Sequence, residues 1–225
     1  SRGALSPFAF LADGAVICNT TFSGKTSSNV QNAAGIASIV DEGVVSIENC
    51  TSNIDVHQEN NAWYANTSNG GLVGTVNNSA SLFISNSLFN GSFTNNYINN
   101  SGYGGFVGFN DNSAFTLVSN SYFAPTRIDY KDGFWGTHTF ANYYDNDCLL
   151  APAIMDCLYK TEFGTLQGSH SSTAPRNYLW NSDVPAVSHY NFSTPTKDFT
   201  KYFQVLQTKY QRFYYENSGQ VLKDS

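Results

Sequence analysis

The feature that most constrains this chain is an internal repeat of about 34 residues. Three copies open on a glycine phrase: GIASIV at Gly35, GGLVGTVNN at Gly70 and GGFVGFNDN at Gly104. A fainter copy begins at Gly3, so that starts at Gly3, Gly35, Gly71 and Gly105 differ by 32, 36 and 34 residues. A single copy is too short to bury a hydrophobic face, whereas stacked copies share a continuous core. The repeat therefore predicts a solenoid.

Each copy carries an Asn that we interpret as a bend between two strands. These residues are Asn19, Asn49, Asn86 and Asn120. The positions two and four before each Asn are small or apolar, for example Leu82 and Ile84, and this period of two is typical of strands. Three residues after the Asn lie Phe22, Ser52, Phe89 and Phe123, with Ser52 as the exception. Because Asn tolerates left-handed backbone and its amide can bond the next coil, we expect a stacked Asn ladder.

These patterns predict an all-β fold, a right-handed parallel β-helix. Residues 1–130 would form four coils, with loops at 26–34, 57–70 and 94–104 projecting from one edge. Residues 131–225 would form a distorted last coil and a C-terminal cap containing one α-helix. The helix would begin with Thr194 as N-cap and Pro195, and it would carry an apolar stripe of Phe199, Phe203, Leu206 and Tyr210.

Two of the glycine phrases carry a family resemblance. GGLVG at 70–74 and GGFVG at 104–108 are each followed by Asn-Ser-x-Phe, and together they resemble the GLUG motif. ANYYDND at 141–147 resembles a phrase that often closes such arrays. The resemblance covers roughly residues 35–147, although Gly35 and Ser38 depart from the Gly-Gly-x-Val-Gly pattern. It implies a repetitive β-solenoid in adhesin-like surface proteins.

Composition and charge argue against several classes of partner. Charged residues make up only 12% of the chain, and 11 Lys and Arg stand against 17 Asp and Glu. The net charge of −6 and the lack of a basic stripe argue against nucleic acid and anionic membranes. No apolar run reaches the roughly 20 residues of a membrane span. The first residues do not read as a signal peptide, which favours a removed signal or an excised segment.

Cysteines and glycosylation sequons favour an extracellular or cell-surface location. Cys148 and Cys157 enclose a short loop, and Cys18 and Cys50 lie near corresponding places in successive copies, so either pair could form a disulfide, although four buried thiols are an alternative. Asn-x-Ser/Thr occurs at Asn19, Asn49, Asn66, Asn77, Asn90, Asn99 and Asn191. Such sequons also arise by chance in an Asn-rich chain.

Catalytic and metal-binding patterns are weak. The sequence contains none of the short motifs that mark common catalytic sites, and no cofactor or metal is expected. Asp41, Asn77 and Asp111 lie six residues after the repeat glycines, which could place two carboxylates two coils apart, at the long limit for an inverting glycosidase. A turn position explains the same column. His138 near Asp145 and Asp147, or a Ca²⁺ site at 145–147, are alternatives to solvated loop residues.

Exposed aromatic residues give a stronger functional indication. Flat rings can stack on sugars or anchor a protein partner, and Trp63, Tyr64, Tyr97 and Tyr103 lie in the predicted loops. Packing of the rings on the solenoid is the structural alternative. We therefore predict a structural or adhesive surface module that contacts a protein, or further domains of its own chain, at the solenoid ends. A glycan-binding module is the first alternative, and a polysaccharide lyase or glycoside hydrolase is the second.

Overall fold

The chain forms a parallel β-solenoid. The computed structural model describes residues 4–28, 32–58, 67–95, 101–129, 136–143, 151–174, 213–215 and 222–224. This part contains strands and no helix, and its three larger sheets are built from parallel pairs, so the all-β parallel β-helix is confirmed. The predicted helix around Thr194 to Tyr210 lies outside the described residues.

The strands follow one another in short segments. In chain order they are β1 (Ala4–Leu5), β2 (Phe8–Leu11), β3 (Val16–Cys18), β4 (Thr21–Ser28), β5 (Asn32–Ala34), β6 (Ala37–Glu48), β7 (Thr51–Gln58), β8 (Thr67–Gly70), β9 (Val73–Ser85), β10 (Leu88–Phe89), β11 (Ser92–Asn95), β12 (Ser101–Gly104), β13 (Val107–Asn110), β14 (Phe115–Ser119), β15 (Tyr122–Phe123), β16 (Arg127–Ile128), β17 (Thr137–His138), β18 (Ala153–Met155), β19 (Leu158–Tyr159), β20 (Ser169–His170), β21 (Phe213–Tyr215) and β22 (Leu222–Asp224).

Each coil contributes to three sheets in turn. Sheet A has the order β1-β5-β8-β12-β17. Sheet B contains β2 and β3 on β6, then β9, with β13 and β14 beyond it and β18 last. Sheet C contains β4, β7, β10 with β11, β15 with β16, β19 and β20. The first coil is thus β1–β4, the second β5–β7, the third β8–β11 and the fourth β12–β16. The strands β17–β20 continue all three sheets beyond residue 130.

The strand register agrees with the alignment predicted from the sequence for three of the four repeat copies. Ala34 pairs with Gly70 and Gly70 with Gly104, which aligns Gly35, Gly71 and Gly105. The first copy is aligned differently from the prediction. Ala4 pairs with Asn32 and Phe8 with Ala37, so Gly35 lies at the level of Ser6–Pro7 and not of Gly3. The first coil lacks the Gly-Gly phrase, and the pairing of β2 with β6 sets its position.

The glycine phrases form the tight bend between sheet A and sheet B. A Cβ on Gly70 would lie 1.7 Å from the carbonyl oxygen of Val73, and one on Gly104 would lie 1.8 Å from that of Val107. A Cβ on Gly71 would lie 2.0 Å from the Gly105 oxygen of the next coil. The repeat therefore requires glycine because backbone occupies the space of a side chain.

The predicted Asn bend is confirmed. Asn19, Asn49, Asn86 and Asn120 have φ of 52°, 51°, 46° and 44°, in the left-handed region that Asn tolerates. Asn49 Nδ2 donates to Asn19 Oδ1, and Asn120 Nδ2 donates to Asn86 Oδ1. Among the described residues the ladder consists of these two pairs, because the buried Oδ1 of Asn49 has no hydrogen-bond partner there. Asp156, which the repeat pattern did not predict, occupies the next position of the column with φ of 51°.

An aromatic column fills the core behind sheet C. Phe22, Ser52, Phe89, Phe123 and Tyr159 are aligned by strand pairing, with Ser52 as the predicted exception. Phe89 and Phe123 stack with ring centroids 5.7 Å apart and an interplanar angle of 10°. Burial of these rings supplies a large share of the hydrophobic stabilisation, since each aromatic side chain removes about 150–250 Å² from water.

The last described coil closes one strand edge with a side chain. Gln167 Oε1 accepts hydrogen bonds from the backbone N–H groups of Phe140 and Ala141 at 2.9 and 2.8 Å. Gln167 Nε2 donates to the Ala141 carbonyl at 3.0 Å. The Gln167 amide therefore replaces the peptide group that another coil would supply, and it satisfies buried backbone groups at this position.

Candidate functional site

The predicted aromatic binding residues are not assembled into a site by the described structure. Trp63, Tyr64 and Tyr97 lie outside the described residues. Tyr103 was predicted to be available to a ligand, and this is wrong, because only 2% of the residue is exposed. It lies in β12 within sheet A, and its ring packs edge-on against Phe93 with centroids 6.5 Å apart.

The sequons differ in how accessible their Asn side chains are. Asn49 is 3% exposed and its amide donates to Asn19, so the structure argues against a glycan at that position. Asn77 donates to Asp41, whereas Asn90 is exposed. Asn19 is partly buried at its bend. Asn66, Asn99 and Asn191 lie outside the described residues.

Neither predicted disulfide is present among the described cysteines. Cys18, Cys50 and Cys157 are free, and Cys148 lies outside the described residues. Cys18 pairs with Glu48, so Cys50 lies two residues further along the coil and not beside it.

The two buried thiols occupy the position that follows the Asn bend, where Ser87 and Ser121 stand in other coils. Cys50 donates to the Glu48 carbonyl and Cys157 to the Met155 carbonyl, both at 3.3 Å, as Ser87 does to Ser85 at 2.8 Å. Burial raises the pKa of Cys50 to about 11 and that of Cys157 to about 12, which keeps both in the thiol form.

The carboxylate column considered for catalysis is a row of turn residues. Asn77 Nδ2 donates to Asp41 Oδ1 at 2.6 Å, and Asp111 Oδ1 accepts the backbone N–H of Asn112 at 3.0 Å. Both carboxylates thus stabilise their own corner of sheet B, as the turn interpretation requires. These contacts give no support to an acid and base pair.

The metal alternatives gain no support from the described part of the chain. His138 is buried in sheet A, and its Nδ1 lies 2.7 Å from Asn142 Oδ1. Asp145 and Asp147 lie outside the described residues. Within the described ranges no three His, Cys, Asp or Glu side chains are grouped as ligands for an ion.

An array of polar side chains lies on the outer side of sheet C. In β7 and β11 of this sheet, apolar residues alternate with polar ones, and the polar positions point outward. Strand pairing places equivalent positions of successive coils next to one another, about 4.8 Å apart. We call this array the polar face, and it comprises Lys25, Asp55, His57, Ser92, Thr94, Arg127 and Asp129.

Asp55 is the centre of the polar face. Its Oδ1 accepts hydrogen bonds from Ser92 Oγ and Thr94 Oγ1 of the next coil, both at 2.7 Å. Its Oδ2 lies 3.8 Å from Lys25 Nζ of the previous coil. Asp55 therefore connects three consecutive coils, and its partners hold the carboxylate in one orientation.

His57 has a defined orientation beside Asp55. Its Nδ1 lies 2.8 Å from Thr94 Oγ1. Because the Thr94 hydroxyl donates its proton to Asp55, the Nδ1 of His57 must carry the proton of that bond. Thr94 consequently has no proton to give to His57, so the trio does not form a hydroxyl nucleophile with a histidine base. The arrangement instead presents a fixed polar surface.

The polar face was not predicted from the sequence, because the ends of these strands lie in segments predicted as loops. β4, β7 and β11 extend to Ser28, Gln58 and Asn95, into the segments predicted as loops at 26–34, 57–70 and 94–104. The alternation Asn53-Ile54-Asp55-Val56-His57 was the signal that could have found it, since period two continues to His57.

Glu48 lies on the outer side of sheet B, next to the Asn bend. Burial raises the pKa of its carboxyl from 4.5 to about 7. It pairs with Cys18 and Ser85 of the neighbouring coils.

We expect the Glu48→Gln variant to stabilise the fold above about pH 7 by on the order of 1–3 kcal/mol. Because the folded-state pKa of Glu48 lies above the unfolded value, the folded state binds the proton more tightly, and stability falls as pH rises from 4.5 through about 7. Urea denaturation at about pH 4 and about pH 8 measures this. The variant and the wild-type protein should be equally stable at the lower pH, and an equal difference at both values would contradict the assignment.

Comparison with known proteins supports the fold and no narrower assignment. No protein-family model and no curated protein matches the chain, so the likeness to GLUG proteins remains a resemblance of motifs. Among the described residues there is no apolar helix of membrane-spanning length.

One solved structure is similar in fold. It is the crystal structure of a protein named "putative immunoglobulin A1 protease" from Bacteroides ovatus, at 1.30 Å resolution. The TM-score is 0.57 at 15% sequence identity, and the match covers 98% of this chain and 63% of that chain. This chain is thus similar to a β-solenoid-containing portion of a longer protein, and the likeness concerns the fold alone.

Proposed function

We propose that this chain is a non-catalytic recognition module of a secreted or cell-surface protein, and that it binds a partner through the polar face. The observation that carries the proposal is the fixed orientation of Asp55 by Ser92, Thr94 and Lys25. Polar groups that are already held in place lose less conformational entropy on binding than mobile ones.

The chemistry of the polar face favours a protein partner. It combines a carboxylate, an ammonium group, an imidazole and a guanidinium, and Arg127 Nε and Asp129 Oδ1 form an exposed ion pair at 2.5 Å. Such mixed charges can match a partner of complementary pattern and set its register. These groups contribute little to the stability of the fold, since an exposed ion pair contributes about 0–1 kcal/mol.

The modular role is consistent with the length of the similar structure. The match spans 63% of that longer chain, which carries the name of a protease. In the proposed role the solenoid displays or positions a partner. The free thiols, the turn carboxylates and the core His138 give the described residues no catalytic set.

A glycan is the second candidate partner. The outward positions of sheet C carry hydroxyl and amide groups in rows, among them Thr21, Ser23, Thr51, Asn53 and Asn90. Rows of donors and acceptors repeated at the coil spacing could bond successive sugars of a polysaccharide. The described part of this face presents no exposed aromatic ring for stacking on sugars, so we rank the glycan below a protein.

We expect the Asp55→Ala variant to weaken binding at least about tenfold, which corresponds to about 1.4 kcal/mol. The measurement compares the purified chain with the variant on a panel of extracellular proteins, on a printed polysaccharide array and on intact cells. Removal of Asp55 frees Ser92, Thr94 and Lys25 from their fixed positions, so the whole polar face loses its organisation.

The matched control is Asp41→Ala. Asp41 is an exposed carboxylate that likewise accepts a hydrogen bond from the next coil, but it lies at the corner of sheet B. Equal weakening by both variants would point to net charge and not to the polar face. Full binding by the Asp55 variant would exclude the polar face as the interface, and binding to the array alone would replace the protein partner with a glycan.

A further inference from the structure

Asparagine followed directly by glycine occurs twice in the chain, and one of these pairs lies on the surface of sheet C. Asn90 and Gly91 connect β10 to β11, and Asn90 is exposed. In such a pair the glycine nitrogen can attack the side-chain amide carbon of the asparagine, because glycine has no side chain to hinder the approach. The attack requires that the fold leaves both reacting groups accessible.

Both reacting groups of this pair are free of hydrogen bonds within the described ranges of the chain. The Asn90 side chain makes none there, and the Gly91 N–H has no acceptor there. The hydrogen bonds at this connection involve other atoms: the Asn90 N–H donates to the Ser52 carbonyl at 2.9 Å, and the Gly91 carbonyl accepts from the Thr126 N–H at 2.8 Å. No hydrogen bond must therefore be broken before the Gly91 nitrogen reaches the amide carbon.

The other Asn-Gly pair is protected by the fold. Asn69 is 1% exposed and precedes Gly70 in β8, which is paired with β5 on one side and with β12 on the other. A reaction at Asn69 requires β8 to open locally, and only a small fraction of the molecules is open at any time. The two pairs thus have the same chemistry and differ in their place in the solenoid.

An exposed asparagine at the corner of sheet B provides a second comparison. Asn112 is exposed, but the N–H of the following residue, Ser113, donates to Asn78 Oδ1 of the previous coil at 2.9 Å. The nitrogen that would attack the Asn112 amide is therefore held, and the residue that carries it has a side chain. Exposure alone does not make an asparagine of this chain reactive.

From these observations we infer that Asn90 is a site of spontaneous modification, at which its amide is converted to aspartate and isoaspartate. The Gly91 nitrogen loses its proton and bonds to Cγ of Asn90, the bond from Cγ to Nδ2 breaks, and Nδ2 leaves with a proton as ammonia. One water molecule then opens the resulting succinimide ring. Cleavage at Cγ gives aspartate, and cleavage at the former backbone carbonyl carbon gives isoaspartate. Nothing is oxidised or reduced.

Both products change the polar face, although the modification itself does not depend on the partner proposed above. Aspartate adds a negative charge two residues before Ser92. Isoaspartate also inserts one methylene group into the backbone between β10 and β11. The space beside Gly91 is occupied, since even a Cβ there would lie 2.0 Å from the Ile54 carbonyl oxygen. We therefore expect the longer backbone to displace Ser92 from its hydrogen bond with Asp55.

The experiment incubates the full chain in mildly alkaline buffer and follows individual asparagines by mass spectrometry of chymotryptic peptides. Protein digested before incubation gives the starting value. Both products have the mass expected when a hydroxyl group replaces the amino group, and labelling by an isoaspartate-specific methyltransferase distinguishes them. We expect conversion at Asn90 to be at least about tenfold faster than at Asn69, because β8 must first open. Asn112 should also react more slowly than Asn90.

The matched control is Asn90→Gln, which keeps the amide but would require a six-membered ring that closes far more slowly. This variant should show no conversion at position 90 and should unfold at the same temperature as the wild-type chain. An Asn90 that stays unconverted, or that carries a glycan on Nδ2, would overturn the inference. Equal conversion at Asn69 and Asn90 would place the reaction in unfolded chains and would also overturn it.

Discussion

The Gly104→Ala substitution is expected to lower the free energy of unfolding by about 3 kcal/mol or more, the upper limit of ordinary overpacking. The added Cβ would lie 1.8 Å from the Val107 carbonyl oxygen and 3.0 Å from that of Phe140. Both atoms belong to the backbone, so no side chain can rotate away, and the bend between sheets A and B must open. Urea denaturation monitored by circular dichroism measures the loss.

The control for this prediction is Gly14→Ala, which separates crowding from backbone strain. Gly14 has φ of +78°, which disfavours any residue with a Cβ, but no atom lies within 4 Å of the position a Cβ would take. Its substitution should therefore cost only about 1 kcal/mol. Equal costs at Gly14 and Gly104 would mean that the repeat glycines are retained for conformational freedom and not for close packing.

The Phe123→Ala substitution is expected to cost about 3–5 kcal/mol, the range for deletion of a fully buried aromatic ring. Phe123 is fully buried and stacks on Phe89, and its centroid lies 5.4 Å from that of Phe163 and 6.4 Å from that of Phe140. Truncation leaves a cavity that the rigid coils on either side cannot fill by collapsing. The midpoint and slope of a urea unfolding curve give the change in stability.

Ser52→Ala is the comparison within the same column. Ser52 is fully buried between the levels of Phe22 and Phe89, and its hydroxyl has no hydrogen-bond partner in the part of the chain that the structure describes. Removal of an unsatisfied buried hydroxyl is expected to be neutral or to stabilise by up to about 1–3 kcal/mol. If Ser52→Ala destabilised the protein as much as Phe123→Ala, the column would not be an apolar core.

Much of the coil could be predicted from the sequence because its signals are local. The Asn residues mark the left-handed bend in four coils, and the residues before them alternate with period two because each strand has one buried side. The glycine phrases aligned three coils correctly, since backbone approaches the positions of Gly70, Gly71 and Gly104 so closely that no other residue fits.

Other features depended on contacts between coils, which a single stretch of sequence does not reveal. The first coil carries no Gly-Gly phrase, so its register followed from the pairing of β2 with β6. Tyr103 was interpreted as a loop residue, but its position in sheet A buries its ring against Phe93. Cys18 and Cys50 occupy similar places in successive copies of the repeat, yet strand pairing places Cys18 beside Glu48.

The polar face likewise combines a feature that the local sequence determines with a feature that only the contacts between coils determine. The sequence by itself determined that Asn53 to His57 alternates between buried and exposed positions, because the side chains of an extended strand point to opposite sides. Only the tertiary structure decided that Lys25, Asp55 and Thr94 meet, since they belong to three coils and their distance depends on the number of residues in each intervening loop. Local periodicity thus fixes which side chains point outward, whereas coil register fixes which of them become neighbours.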